Sequence, residues 1–210
     1  MRADAARNRE RILVAARDLV AERGPGVPLD EVARHAGVGV ATLYRRYPDR
    51  TALLEAVVLH CLQLTTQAAR RARAEADDPW QALTRYLREA LELRVSAVIP
   101  AVLGVVDLGG GELERARTDS AEAVEALVDE AHAAGCLAED VTFADIGTML
   151  VRIARPLLGP LTEETKHALA RRHLELFLRA LTPEGGAAGS ALPEPALTRH
   201  DLHDLTEEER

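Results

Sequence analysis

Apolar residues in this 210-residue chain recur at helical spacing almost from end to end, and the alternation of a half-buried strand is nearly absent. Ile12, Ala16, Leu19 and Val20 form one stripe over residues 7–23, closed by Gly24-Pro25-Gly26. A short helix is predicted over 29–36, with Pro28 near its first turn, where a missing N–H costs nothing. Gly37 ends it, and a third helix over 40–46 is closed by Tyr47-Pro48. Asp49 can cap a long helix over 50–76 through Leu53, Leu54, Val57, Val58, Cys61 and Leu64. After the break at Asp77-Asp78-Pro79, a helix is predicted over 79–99, with Pro100 kinking or ending it, then a short apolar helix to about 107. Further helices are predicted over 112–134, 141–158 and 162–181. The expected fold class is therefore all-α. Residues 183–210 turn to Gly, Ala, Pro and Ser and then to charge, and are expected to form a mostly disordered tail.

Charge is divided unevenly. The chain carries a net −8, yet residues 1–52 hold ten Arg against seven Asp or Glu, a surplus of +3, while the remainder carries −11. Such asymmetry suits a basic part that meets a polyanion. No apolar run reaches the ~20 residues of a membrane span, so no membrane partner is expected. The N-terminus lacks an apolar signal core, and a cytoplasmic location is the simplest expectation. Two cysteines, Cys61 and Cys136, are too few for a disulfide framework or a four-cysteine zinc site.

The informative stretch is LDEVARHAGVGVATLYRRYPDR, residues 29–50. Ala33 is small where two helices cross closely. Gly37 permits the left-handed backbone of a sharp turn. Val32, Val38 and Leu43 point inward and fix the crossing. This is a helix-turn-helix pattern, whose second helix can enter the major groove, and residues 7–23 would complete a three-helix head. Thr42, Tyr44, Arg45, Arg46, Tyr47 and Arg50 are expected at the DNA surface. Hydroxyls and arginines donate to phosphate, and Arg also reads guanine. The competing expectation is that both tyrosines pack inside the head and the arginines are merely solvated.

The segment AGVGVATLYRRYPDRTALL resembles the TetR family of one-component transcriptional repressors, in its Ala-Gly-Val turn, its Leu-Tyr pair, its aromatic-Pro step and the basic residue that opens a long helix. The resemblance implies a DNA-binding head over 1–47 and a helical ligand-binding and dimerisation domain over 48–182. It further implies a homodimer on an inverted-repeat double-stranded operator, released when a small molecule binds. Tyr44 matches the family's phosphate-binding tyrosine, Arg50 matches its basic residue at the start of the linking helix, and Thr42, Arg45 and Arg46 match groove-facing positions. Val40 and Gly39 stand where many relatives have Lys and Ser, and Pro28 where a Thr often caps the second helix.

By the same resemblance the last two helices pair with their twofold mates, which places Ile153, Leu169, His173, Leu176, Phe177 and Ala180 at the dimer interface. The few aromatic residues outside the head point to a mainly aliphatic pocket for an apolar or weakly anionic effector, with Arg94 or Arg152 as anchor. Asp145, Thr148, Arg152 and Arg155 share one helix face, either solvated or anchoring an anion. Glu164-x-x-His167 has the spacing of a di-iron pair, with Asp129-x-x-His132 its only near match. No catalytic motif appears and no cofactor is expected. Two other readings stay open, a constitutive DNA-binding regulator without ligand and a helical-bundle metalloprotein.

Overall fold

A computed structural model describes residues 2–155, 157 and 159–183. Among these residues there are α-helices and no strand. They run α1 (Arg2–Arg23), α2 (Leu29–Ala36), α3 (Val40–Arg46), α4 (Arg50–Glu75), α5 (Pro79–Glu92), α6 (Val95–Val102), α7 (Gly111–Ala133), α8 (Phe143–Ala154) and α9 (Glu163–Ala180). The expected tail lies, past Pro183, outside the described residues.

Local chemistry sets most of the helix starts. Asp49 accepts from the Ala52 amide at 2.9 Å, as its position predicted, and Asp78 accepts from the Gln81 amide at 2.8 Å with Pro79 filling the first turn. Thr142 and Asp145 form a reciprocal capping box on α8. Asp145 is therefore spent on the helix start, and is not free to anchor a ligand. In α2, Pro28 is the cap residue and offers no side-chain bond.

Two expectations are corrected. The single helix over 79–99 is broken into α5 and α6 at Arg94, whose φ of +54° is left-handed. Pro100 sits inside α6 and does not end it. The break needs no proline, because the Arg94 guanidinium reaches Glu22 at 2.8 Å and so holds the backbone in a conformation L-residues rarely adopt. The helix expected over 141–158 ends earlier, at Ala154.

Helix α4 is the axis, packed against α1, α5, α6 and α7. Leu53, Leu54, Val57, Val58, Cys61, Ala68, Ala69 and Ala72 are all buried on it. Among the described residues α4 is the one helix long and apolar enough by length and composition to cross a membrane, although no unbroken apolar run marks it as such. Its apolar content is explained by this burial within the bundle. Polar pairs tie it to its neighbours at three levels. His60 lies 3.5 Å from Glu10 of α1, Arg71 pairs with Glu89 of α5, and Arg73 pairs with Glu130 of α7. Burial pushes the Cys61 thiol up to about 12 and the Cys136 thiol upward too, which disfavours the reactive thiolate at both.

Two measurements test this packing. Burial lowers the pKa of His60, outweighing the opposing pull of Glu10, while Arg17 and Arg9 lower it further. The unfolded chain then binds a proton that the folded chain does not, so stability falls as pH drops through about 6.5 and levels off only below the lowered value. Denaturant melts of the wild type and His60→Gln from pH 8 to 5 should show a shallower acid loss in the variant; identical slopes would contradict this. At Gly37, φ is +60° and an added Cβ would sit 2.3 Å from the Arg11 guanidinium. Gly37→Ala should cost about 1–2 kcal/mol in the same melts.

Candidate nucleic-acid interface

The turn between α2 and α3 is built from backbone bonds. Gly37 caps α2 with φ +60° and ψ +39°, and the Val38 amide reaches back to the Ala33 carbonyl at 3.0 Å. Arg11 of α1 donates to the Gly37 carbonyl at 2.8 Å, which staples the turn to the first helix. Val32, Ala33 and Leu43 are fully or almost fully buried. These contacts leave the opposite face of α3 to solvent.

On that face Tyr44 is 44% exposed, and Arg45, Arg46 and Arg50 are exposed. Thr42 is half-buried and its hydroxyl accepts from Arg45 at 3.0 Å. Tyr47 departs from the expectation. It caps the C-terminal end of α3 and is buried at 6% exposure, its hydroxyl enclosed without a hydrogen-bond partner. Its ring is core packing under the head, so it offers no surface to a groove.

Apart from Arg11, which is held on the Gly37 carbonyl, the described arginines of α1 to the start of α4 divide into two sets. Arg7, Arg17, Arg23 and Arg34 pair with Asp4, Asp18, Glu31 and Glu31. Arg9, Arg45, Arg46 and Arg50 take part in no ion pair among the described residues. Three of these four follow one another along α3 and the start of α4. The fourth, Arg9, joins Asn8 of α1 in lining a groove of about 540 Å³ with Thr42, Arg45 and Arg46. Sequence reasoning missed Asn8 and Arg9. The signal was present in the basic run of early α1, but only packing brings it alongside α3. A convex helix with unpaired guanidinium groups and an exposed tyrosine is suited to phosphate and base edges.

The other expected site residues are dispersed. Arg94 faces a cleft where α1, α5, α8 and α9 meet, outside the interior of the helices over 50–134. Arg152 is exposed on α8 and does not line that cleft. His167 touches Arg94, and among the described residues no group of three or more His, Cys, Asp or Glu is placed to hold a metal. Along the last two helices His173, Leu176 and Ala180 are exposed, while Ile153, Leu169 and Phe177 are half-buried. Met149, Leu157 and Leu161 are exposed as well.

Comparison with known proteins places this geometry. Residues 12–57 match the model for bacterial regulatory proteins of the tetR family, and residues 78–183 match the C-terminal domain of SbtR-like transcriptional regulators. The HTH-type transcriptional repressor LfrR of Mycolicibacterium smegmatis is 38% identical over 87 residues, 41% of this chain and 46% of that repressor. The chain thus matches about half the length of this curated relative. The TetR regulator SCO0520 of Streptomyces coelicolor is 32% identical with a TM-score of 0.61, covering 83% of this chain and 98% of that one. A TetR regulator from Mycobacterium vanbaalenii is also 32% identical, with a TM-score of 0.60 over 86% and 98% of the two chains. LfrR in complex with proflavine shares the fold at 24% identity and a TM-score of 0.62, over 89% and 99%. With its helix-turn-helix head and all-α body, the chain belongs to the TetR family of bacterial transcriptional regulators.

Proposed function

We propose that this regulator is a homodimeric repressor that binds an inverted-repeat operator through α3 and releases it when a small molecule occupies the C-terminal domain. The observation that carries the DNA-binding face is the set of unpaired arginines, Arg9, Arg45, Arg46 and Arg50, gathered around the exposed Tyr44. In an acidic chain, cations without a carboxylate partner on one face are available to an outside anion. Tyr44 and Arg50 hold phosphates, and Arg45 reads a base edge. The proposed division is a head over 1–47 and a ligand and dimer domain over 48–182, in line with the two matched segments.

The exposed apolar side chains of α8 and α9 support the dimer. Leu176 on α9 is half exposed, and Met149 on α8 and Leu157 and Leu161 in the segment between the two helices lie open as well. Pairing these helices with their twofold mates would remove them from water and set two copies of α3 to face one duplex, with half-sites about one helical turn apart. LfrR, a relative, was solved with proflavine, which supports a ligand-responsive body. For this chain the effector is proposed to be apolar or weakly anionic, since Tyr86 is wholly enclosed and few aromatic rings remain to cage a cation.

The test begins by retaining genomic DNA fragments on the purified protein and measuring affinity for the selected site. With about 6–8 phosphate contacts per dimer, log K should fall against log salt with a slope of about −5 to −7. Tyr44→Phe and Arg50→Ala should weaken all sequences alike, whereas Arg45→Ala should blunt discrimination at particular bases by about 1–3 kcal/mol. Salt-independent binding, or equal losses on random DNA for all three variants, would sink the scheme. Separately, sedimentation of Phe177→Asp should give monomers with no operator binding. An intact dimer in that variant would remove α9 from the interface.

A further inference from the structure

Arg94 joins parts of the chain that lie far apart in sequence. Its guanidinium donates to Glu22 in the last turn of α1 at 2.8 Å, lies 3.9 Å from the Glu163 carboxylate at the start of α9, and contacts His167 Nε2. An arginine can only donate, so His167 Nε2 is the accepting side of this contact. Only 18% of the Arg94 side chain meets solvent.

These groups edge a cleft of about 50 Å³ between the head helix α1 and the body. Its apolar lining is Ala21, Leu91, Ala154 and Ala170. Its cations are Arg94, Arg155, Lys166 and Arg171. Arg171 is held by Glu92 at 2.6 and 3.3 Å, and Lys166 by Glu163 at 2.7 Å. Arg155 takes part in no ion pair among the described residues. Against the three carboxylates Glu22, Glu92 and Glu163, these four cations leave one positive charge over, and Arg155 carries it. At ~10–15 Å³ per water the cleft holds about three to five waters, the room of a carboxylate with a short alkyl body.

We propose that this cleft is the recognition site for a small aliphatic carboxylate, and that its occupancy is what loosens the head. The carboxylate bridges Arg155 and Arg94 and takes the place of Glu22 on the Arg94 guanidinium. Its alkyl body lies against Ala21, Leu91, Ala154 and Ala170. The ligand binds the state in which the Arg94–Glu22 tether is broken, and so shifts the population away from the tethered arrangement of head and body. The idea rests on the repressor reading above and deepens it by naming the place and class of the effector. It also moves the Arg94 anchor from the bundle interior to the junction with α1.

Titration calorimetry of the full chain with sodium propionate, and separately with inorganic phosphate, tests the site against sodium chloride at matched ionic strength. Propionate should bind, Arg155→Ala should weaken it about tenfold or more, and Glu22→Gln should strengthen it. Saturating propionate should lower affinity for the selected operator about fivefold or more, within the usual range of coupling between two sites. Glu22→Gln should show the lowered operator affinity without any propionate. Absence of propionate binding, phosphate binding in its place, or unchanged binding in Arg155→Ala would overturn the proposal. Calorimetry does not depend on DNA, so a protein that selects no operator at all would refute the repressor reading and leave the carboxylate site standing on its own result.

Discussion

The buried face of α4 is shared between the head and the body. Leu53, Leu54, Val57 and Val58 are buried near its start, and Ala68, Ala69 and Ala72 near its end, on one uninterrupted helix of 26 residues. At ~1.5 Å per residue that helix is about 39 Å long. Glu10 and the enclosed His60 meet where α1 lies on it, and Arg71 and Arg73 reach α5 and α7 further along. A close-packed helix does not deform continuously, so a shift at one end is carried to the other. The head has no separate hinge to α4 beyond Tyr47, Pro48 and Asp49. Its orientation is set by how α1 sits on α4 and on α6.

The second constraint is how the charge is spent. Most acidic groups near the head are used. Asp49 caps α4, Asp18 holds Arg17, Glu31 holds Arg23 and Arg34, and Glu22 holds Arg94. Arg11 is spent on the Gly37 carbonyl. The arginines that remain unpaired are those around α3. A chain of net −8 can thus present a cationic surface, because the surplus acid is distributed over other elements. Arg94 belongs to the same accounting. It fastens the last turn of α1, 72 residues before it in the sequence, to the start of α9.

Much of this was legible in the sequence because it depends on neighbours a few residues apart. The Gly37 turn, the Asp49 cap, the proline-led start of α5 and the Tyr44, Arg45, Arg46 and Arg50 face all follow from spacing and from backbone preferences at single positions. Tyr47 was not legible. One residue past α3, the same ring can turn out to a groove or in under the head, and only the packing of α1 to α4 decides. The Arg94 break was hidden for a related reason. A proline announces a helix end through its missing N–H, whereas an arginine bent to positive φ is paid for by a carboxylate on another helix.

The sequence by itself therefore determined the all-α class, the helix-turn-helix and its turn, and which residue types stand on the outer face of α3, since helix period, caps and left-handed glycines are properties of short windows. Tertiary structure alone decided three other matters. It buried Tyr47, it brought Asn8 and Arg9 alongside Thr42 and Arg45, and it gathered Arg94, Arg155 and His167 into one cleft against Ala21 of the head. Each depends on which helices cross and where. Crossings are set by the burial of whole apolar faces, a quantity summed over many distant side chains and readable from no single stretch of them.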